Sequence, residues 1–171
     1  MDIVQKFYVG IAQHKVVAEP ALLVCSALGS CVAVCLYDPF ARVAGVVHIL
    51  LPDARHTLKR ENPDKFADAG VESLVAEMAG MGAHKKRLRA KIAGGACLFD
   101  FGPRGSSSDT EITAAASIGD RNVEAVKAVL ALLGIPIVAE DVGERYGRSV
   151  YFNSDGGAMR VKSVKSGEKE L

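Results

Sequence analysis

Residues 31–52, CVAVCLYDPFARVAGVVHILLP, decide how this chain folds. Two apolar runs, CVAVCLYD and VAGVVHILLP, flank Pro39-Phe40-Ala41-Arg42, a short turn opened by Asp38-Pro39. Runs of this length, rich in valine and bounded by a turn signal, read as a hairpin of two buried strands. In an antiparallel pair, opposed residues have a constant sum of positions. If Asp38 opposes Val43, His48 faces Ala33 and Cys31 is its diagonal neighbour. If Leu36 opposes Val43, His48 faces Cys31 directly. Either register puts thiol and imidazole on one face of the sheet, and a slip of one residue would separate them. Diagonal neighbours lie about 7 to 8 Å apart at the backbone, within reach of long side chains. Ala33 and Ala44 leave room on that face. Val32, Val34, Leu36, Val43, Val47 and Ile49 point the other way and read as core.

Working outward, residues 3–18 hold short apolar segments that read as one or two strands, and ALLVCSA (21–27) reads as another. Asn62-Pro63 looks like an N-cap with proline at the first helical position. Phe66, Gly70, Leu74, Met78 and Met81 then recur at helical spacing, and Gly82 is a C-terminal cap. RLRAKIAGGACLF alternates at Leu88, Ala90 and Ile92, a strand running into a glycine turn. Residues 102–117, rich in Gly, Ser and Ala, read as a mobile loop. Asp120 is expected to cap a second helix through Val123, Val126, Leu130 and Leu133, stopped by Gly134 and Pro136. IPIVAED is a strand, and RSVYFN and AMRVKS form a hairpin around SDGG. The closing KSGEKEL reads as frayed. The sum is an α/β protein of the α+β kind: a layered sandwich with mixed, largely antiparallel sheets and flanking helices. One domain is expected over 1–163, followed by a polar tail, 164–171.

The 171 residues carry 21 basic and 20 acidic side chains, so no global charge calls for nucleic acid or an anionic membrane. The basic cluster HKKRLR (His84 to Arg89) reads as a solvated loop. Tryptophan is absent and aromatics are few, which disfavours base-stacking platforms. The N-terminal MDIVQKFYVG lacks the layout of a secretory signal. The longest apolar stretch, 21–36, is broken by Ser26, Gly29 and Ser30, and reads as strand rather than membrane span. A cytoplasmic protein with reduced cysteines is expected. Cysteines at 25, 31, 35 and 97 match no common zinc spacing, so neither metal nor organic cofactor is expected.

Cys31 is then core filling, a redox centre or a nucleophile. A free thiol, with a pKa near 8.5, is only partly ionised at neutral pH, and a neighbouring histidine can take its proton or stabilise the thiolate. Leu28-Gly29-Ser30 offers a tight turn and backbone N–H groups beside the sulfur, suited to hold an oxyanion. Buried filling is the ordinary fate of cysteine and is expected for Cys35 and Cys97. His14, His56 and His84 are weaker candidates for a base, since nothing ties them to the thiol.

LGSCVAVCLYDP, AGVVHILLP, FADAGVESL, KIAGGA, IGDRN and DVGERYGRSVYF follow one another in an order that resembles the CheD family of bacterial chemoreceptor glutamine deamidases. The likeness spans about residues 5–163. It implies a layered α/β sandwich and an enzyme that converts selected receptor glutamines to glutamates, with Cys31 as nucleophile and His48 as general base. Cytoplasmic domains of chemoreceptors are the implied substrates, and the CheC phosphatase an implied partner. A receptor glutamyl methyl ester is a second conceivable substrate.

Two departures stand out. The family's third catalytic position, six residues before the nucleophile, is usually threonine and here is Cys25. A thiol hydrogen-bonds weakly, so Cys25 is expected to act through its backbone carbonyl, fixing the imidazole tautomer. The stretch between GGA and IGDRN is longer than usual, and Glu144 replaces a usual glycine. KIAGGA and IGDRN are expected to shape the site rather than carry chemistry. Two rivals remain: a binding regulator of CheC without catalysis, and a redox protein. Cys31 and Cys35 lie about 13 Å apart along a strand, too far for a disulfide, but the Gly-Ser turn leaves a Cys25–Cys31 pair open.

Overall fold

The computed structural model describes residues 4–54, 62–98 and 118–171. Its strands are β1 (Gln5–Tyr8), β2 (His14–Val17), β3 (Ala21–Leu28), β4 (Val32–Asp38), β5 (Val43–Ile49), β6 (Arg89–Gly94), β7 (Ile137–Val142), β8 (Arg148–Asn153), β9 (Met159–Ser163) and β10 (Gly167–Glu170). Two helices, α1 (Ala67–Gly80) and α2 (Ile118–Leu132), complete an α+β fold. The strands form two five-stranded sheets, ordered β1-β3-β8-β9-β10 and β2-β5-β4-β6-β7. All pairings are antiparallel except β1 with β3 and β6 with β7.

Alternation along the strands makes three layers. Leu23, Cys25, Ala33, Cys35, Val46, Val150 and Phe152 meet between the sheets. On the far face of the second sheet, Val32, Val34, Leu36, Val47 and Ile49 pack against Leu74, Met78, Val126 and Leu130 of the helices. Each such side chain, fully withdrawn from water, contributes about 1.5 to 3 kcal/mol. Gly45 admits α1 to this face, because a Cβ there would lie 2.8 Å from Leu74 Cδ1.

Three local expectations are corrected. The Asn62 side chain does accept the Asp64 N–H, but it caps only the 3-10 turn Pro63–Lys65. Phe66, 2% exposed, is extended and bridges Leu51, so α1 starts at Ala67. Burial of Phe66 outweighs the helical signal there. At the other end Ala83 N–H donates to Met78 O and Gly82 N–H to Ala79 O, a Schellman ending with Gly82 at φ +101°. Asp120 stands inside the first turn of α2 rather than capping it. The tail drawn as frayed forms β10 against β9, and Lys91 Nζ donates to Leu171 O at 2.7 Å. The loop expected over 102–117 lies outside the described residues, as does His56.

Candidate active site

The β4–β5 ladder runs from Asp38↔Val43 through Ala33↔His48 to Val32↔Ile49. This is the first of the two registers considered, with Cys31 diagonal to His48 on one face. Asp38 locks it at the turn. Its carboxylate accepts the N–H groups of Phe40 (2.9 Å), Ala41 (3.0 Å) and His84 (2.8 Å) and pairs with Arg87 at 2.9 Å. Burial would raise its pKa, but Arg87 and the backbone donors overcome this and hold it at about 2.

Cys31 is 7% exposed and His48 2%. The imidazole is held by the β1–β2 loop. Ala12 N–H donates to His48 O at 2.9 Å, and His48 N–H donates to Gln13 O at 3.0 Å. His48 Nδ1 lies 3.2 Å from Val9 O. A carbonyl can only accept, so Nδ1 carries the proton and Nε2 of the neutral ring is bare. Nε2 is buried and has no hydrogen-bond partner among the described residues. Burial lowers the His48 pKa, partly opposed by Val9. Burial raises the Cys31 pKa, partly opposed by its own backbone N–H. Both shifts favour the neutral thiol and the neutral imidazole over a standing ion pair.

The carbonyl that accepts the hydrogen bond of His48 Nδ1–H belongs to Val9, where Cys25 was expected to supply it. Cys25 is fully buried between the sheets, its strand paired to Val150. Burial, with the nearby Cys31, pushes its thiol up to about 12. Cys35 is buried and raised well above the ordinary range for the same first reason. None of the four cysteines forms a disulfide.

The bend at Gly29 and Ser30 is held from the carbonyl side. Gly29 O accepts Ala96 N–H at 2.8 Å, Cys31 O accepts Gly95 N–H at 2.8 Å, and Ser30 O accepts Asn122 Nδ2–H at 2.9 Å. Gly94 and Gly95 stand at φ +116° and +66°. A Cβ on Gly94 would lie 2.1 Å from Cys31 O, and one on Gly119 2.6 Å from Gly95 O. KIAGGA and IGDRN therefore dock the turn after β6 and the start of α2 onto the cysteine bend. Leu98 covers Gly29, whose Cβ would fall 2.7 Å from its Cδ1.

The other two described histidines, His14 and His84, are engaged away from the thiol. His14 bridges Asp64 at 2.8 Å and Glu77 at 2.6 Å, and His84 Nδ1 accepts Lys86 N–H. Among the described residues no three His, Cys, Asp or Glu side chains gather as they would to hold a metal ion. No described helix is long and apolar enough to cross a membrane. Reading the sequence missed two participants, Val9 and Asn122. Val9 acts through its backbone and leaves no signal. Asn122 leaves one: it is a polar residue on the stripe of α2 that buries Gly119, Val123, Val126 and Leu130.

Fold and site define a two-sheet α+β sandwich that holds a thiol and a bare imidazole nitrogen on one sheet face, beside an ordered backbone bend. Residues 50–163 match the family model described as CheD, chemotactic sensory transduction. The chain is 48% identical over 163 residues to a probable chemoreceptor glutamine deamidase CheD of Caldanaerobacter subterraneus subsp. tengcongensis, covering 95% of this chain and 96% of that one. A probable chemoreceptor glutamine deamidase CheD of Haloarcula marismortui is 42% identical over 162 residues (95% and 87% covered). The chemoreceptor glutamine deamidase CheD of Thermotoga maritima is 42% identical over 164 residues, 96% of each chain. This chain belongs to the CheD family.

Proposed function

We propose that the chain is a protein-glutamine deamidase acting on the cytoplasmic domains of chemoreceptors, with Cys31 as nucleophile and His48 as general base and acid. The observation that carries this reading is the Ala33↔His48 register, with the proton of Nδ1 committed to Val9 O. Cys31 Sγ attacks the glutamine side-chain carbonyl carbon while His48 Nε2 takes the thiol proton. The oxyanion rests on backbone N–H groups of the 29–31 bend. The tetrahedral species collapses, and His48 gives its proton to the departing ammonia, leaving a thioester. His48 then deprotonates a water that attacks the thioester, and the same proton returns to the leaving sulfur. The balance is amide plus water to carboxylic acid plus ammonia. A glutamyl methyl ester would follow the same path with methanol leaving.

Tyr8 and Ile11, 69% and 56% exposed, lie on either side of Val9 and Gly10, and Leu98, 47% exposed, lies over Gly29. They supply an apolar rim for a receptor helix, and for CheC as a regulatory partner. The test is incubation with receptor cytoplasmic fragments and mass analysis of glutamine sites, where amide to acid adds about one dalton. Cys31→Ala and Cys31→Ser are expected to be inactive and folded, and His48→Ala to lose about a hundredfold in turnover. Unimpaired turnover by purified Cys31→Ala would end the proposal.

A further inference from the structure

The β4–β5 ladder ends at the pair Val32↔Ile49. Asn122 reaches past that end from α2. It is fully buried, and Nδ2 donates to Ser30 O at 2.9 Å and to Leu50 O at 3.0 Å. One amide thus grips the residue before the proposed nucleophile and the residue two beyond the proposed base. Its Oδ1 is buried without a partner among the described residues. An unsatisfied buried oxygen costs about 1 to 3 kcal/mol, so the position is poorly explained as filling. What the amide supplies is two N–H donors pointed at two carbonyls.

The consequence follows from peptide geometry. Ser30 C=O and Cys31 N–H belong to one planar unit, and in a trans peptide they point in opposite directions. No cis peptide occurs among the described residues. Pinning Ser30 O to Asn122 therefore turns the Cys31 N–H away from α2. That N–H lies close enough to its own sulfur to favour the thiolate. The neighbouring peptides are tied by backbone donors, Ala96 N–H on Gly29 O and Gly95 N–H on Cys31 O. Only the central one depends on a side chain.

We propose that Asn122 is a positioning residue for the deamidation: it orients the Cys31 N–H toward the oxyanion and holds the nucleophile and base strands at their working separation. This rests on the cysteine–thioester reading above. Loss of a direct oxyanion donor typically lowers kcat about 10²- to 10³-fold. Asn122 acts one step removed, so Asn122→Ala should lower kcat about 10- to 100-fold with KM within about twofold. Asn122→Asp, close in shape but without the two donors, should lose as much.

A structural role alone would not shift the ionisation of Cys31. The midpoint of the pH dependence of Cys31 alkylation by iodoacetamide should rise in Asn122→Ala, which adds no charge, as its N–H drifts from the sulfur. Folding is checked by circular dichroism and thermal melts, with Cys31→Ala as a parallel control. Activity in Cys31→Ala means the thioester reading fails. Inactive Cys31→Ala beside a folded Asn122 variant with kcat within threefold of wild type overturns the positioning role alone. So does a loss of kcat in Asn122→Ala with the alkylation midpoint unmoved. Should neither variant fold, the wild-type protein decides by NMR. Asn122 side-chain amide protons exchanging at least a hundredfold slower than a free amide, with hydrogen-bond couplings to the Ser30 and Leu50 carbonyl carbons, support the clamp; exchange at the free rate overturns it.

Discussion

Asp38→Asn tests the lock that sets the Cys31–His48 register. The side chain is fully buried and accepts from three backbone N–H groups while pairing with Arg87. Asparagine keeps the shape but replaces one acceptor oxygen by a donor, which faces either the turn N–H groups or His84 N–H and Arg87. The size of the effect follows from the ionisation of the carboxyl, held at about 2 against an ordinary 3.8. At 1.36 kcal/mol per unit this is a differential stabilisation of about 2 to 3 kcal/mol. The folded pKa lies below the unfolded one. The contribution is therefore complete above pH 4 and is lost as pH falls toward about 2. Urea unfolding of wild type and Asp38→Asn at pH 7 should show the variant less stable by about 2 to 3 kcal/mol. Repeated between pH 5 and the lowest pH at which both fold, the gap should narrow. Subtracting the two proteins removes other carboxylates, which titrate in both. A gap under about 0.5 kcal/mol at pH 7, or one unchanged as pH falls through that window, would refute the reasoning. Because the turn fixes the register, deamidation by the variant should fall even where it remains folded.

Two further outcomes follow from the site and its neighbours. With His48 lowered below 6.5 and Cys31 raised above 9, alkylation of the free enzyme should rise with a midpoint above pH 9, while kcat/KM stays flat below pH 6.5 until His48 protonates. Maximal alkylation already at pH 6 would mean a standing thiolate–imidazolium pair instead. Glu144 occupies φ +63°, a left-handed conformation that glycine adopts without strain. Glu144→Gly should relieve about 1 to 2 kcal/mol of left-handed strain against about 0.5 to 1 kcal/mol of added chain entropy, for a small net gain in a thermal melt. The Cys97 N–H bond to Glu144 O is backbone and survives the change. A clear drop in Tm would show that the Glu144 side chain anchors the loop.

What could be read from the residues, and what could not, divides along a chemical line. The hairpin was legible because alternation and the Asp38-Pro39 turn leave few registers, and both of those considered bring Cys31 and His48 to one face. The layers were legible because Val32, Val34 and Leu36 point one way and Ala33 and Cys35 the other. The helix start misled, because Phe66 is drawn into extended pairing by Leu51, a contact fifteen positions back that no local signal reports. β10 misled for a related reason. GEKE is exposed along its whole length, and its ladder exists only because β9 offers a free edge. At the site, the need for a carbonyl on the imidazole was foreseeable, but its owner was not. The group is Val9 O, and any residue at position 9 would supply the same atom. The same holds for the N–H groups of the 29–31 bend. Under the proposed mechanism, a site that borrows its tether and oxyanion donors from the main chain exposes only its two reacting side chains to a reader of the sequence. Asn122 is where that main-chain arrangement depends on a side chain again, and so it is the position where a point substitution can tell orientation from mere folding.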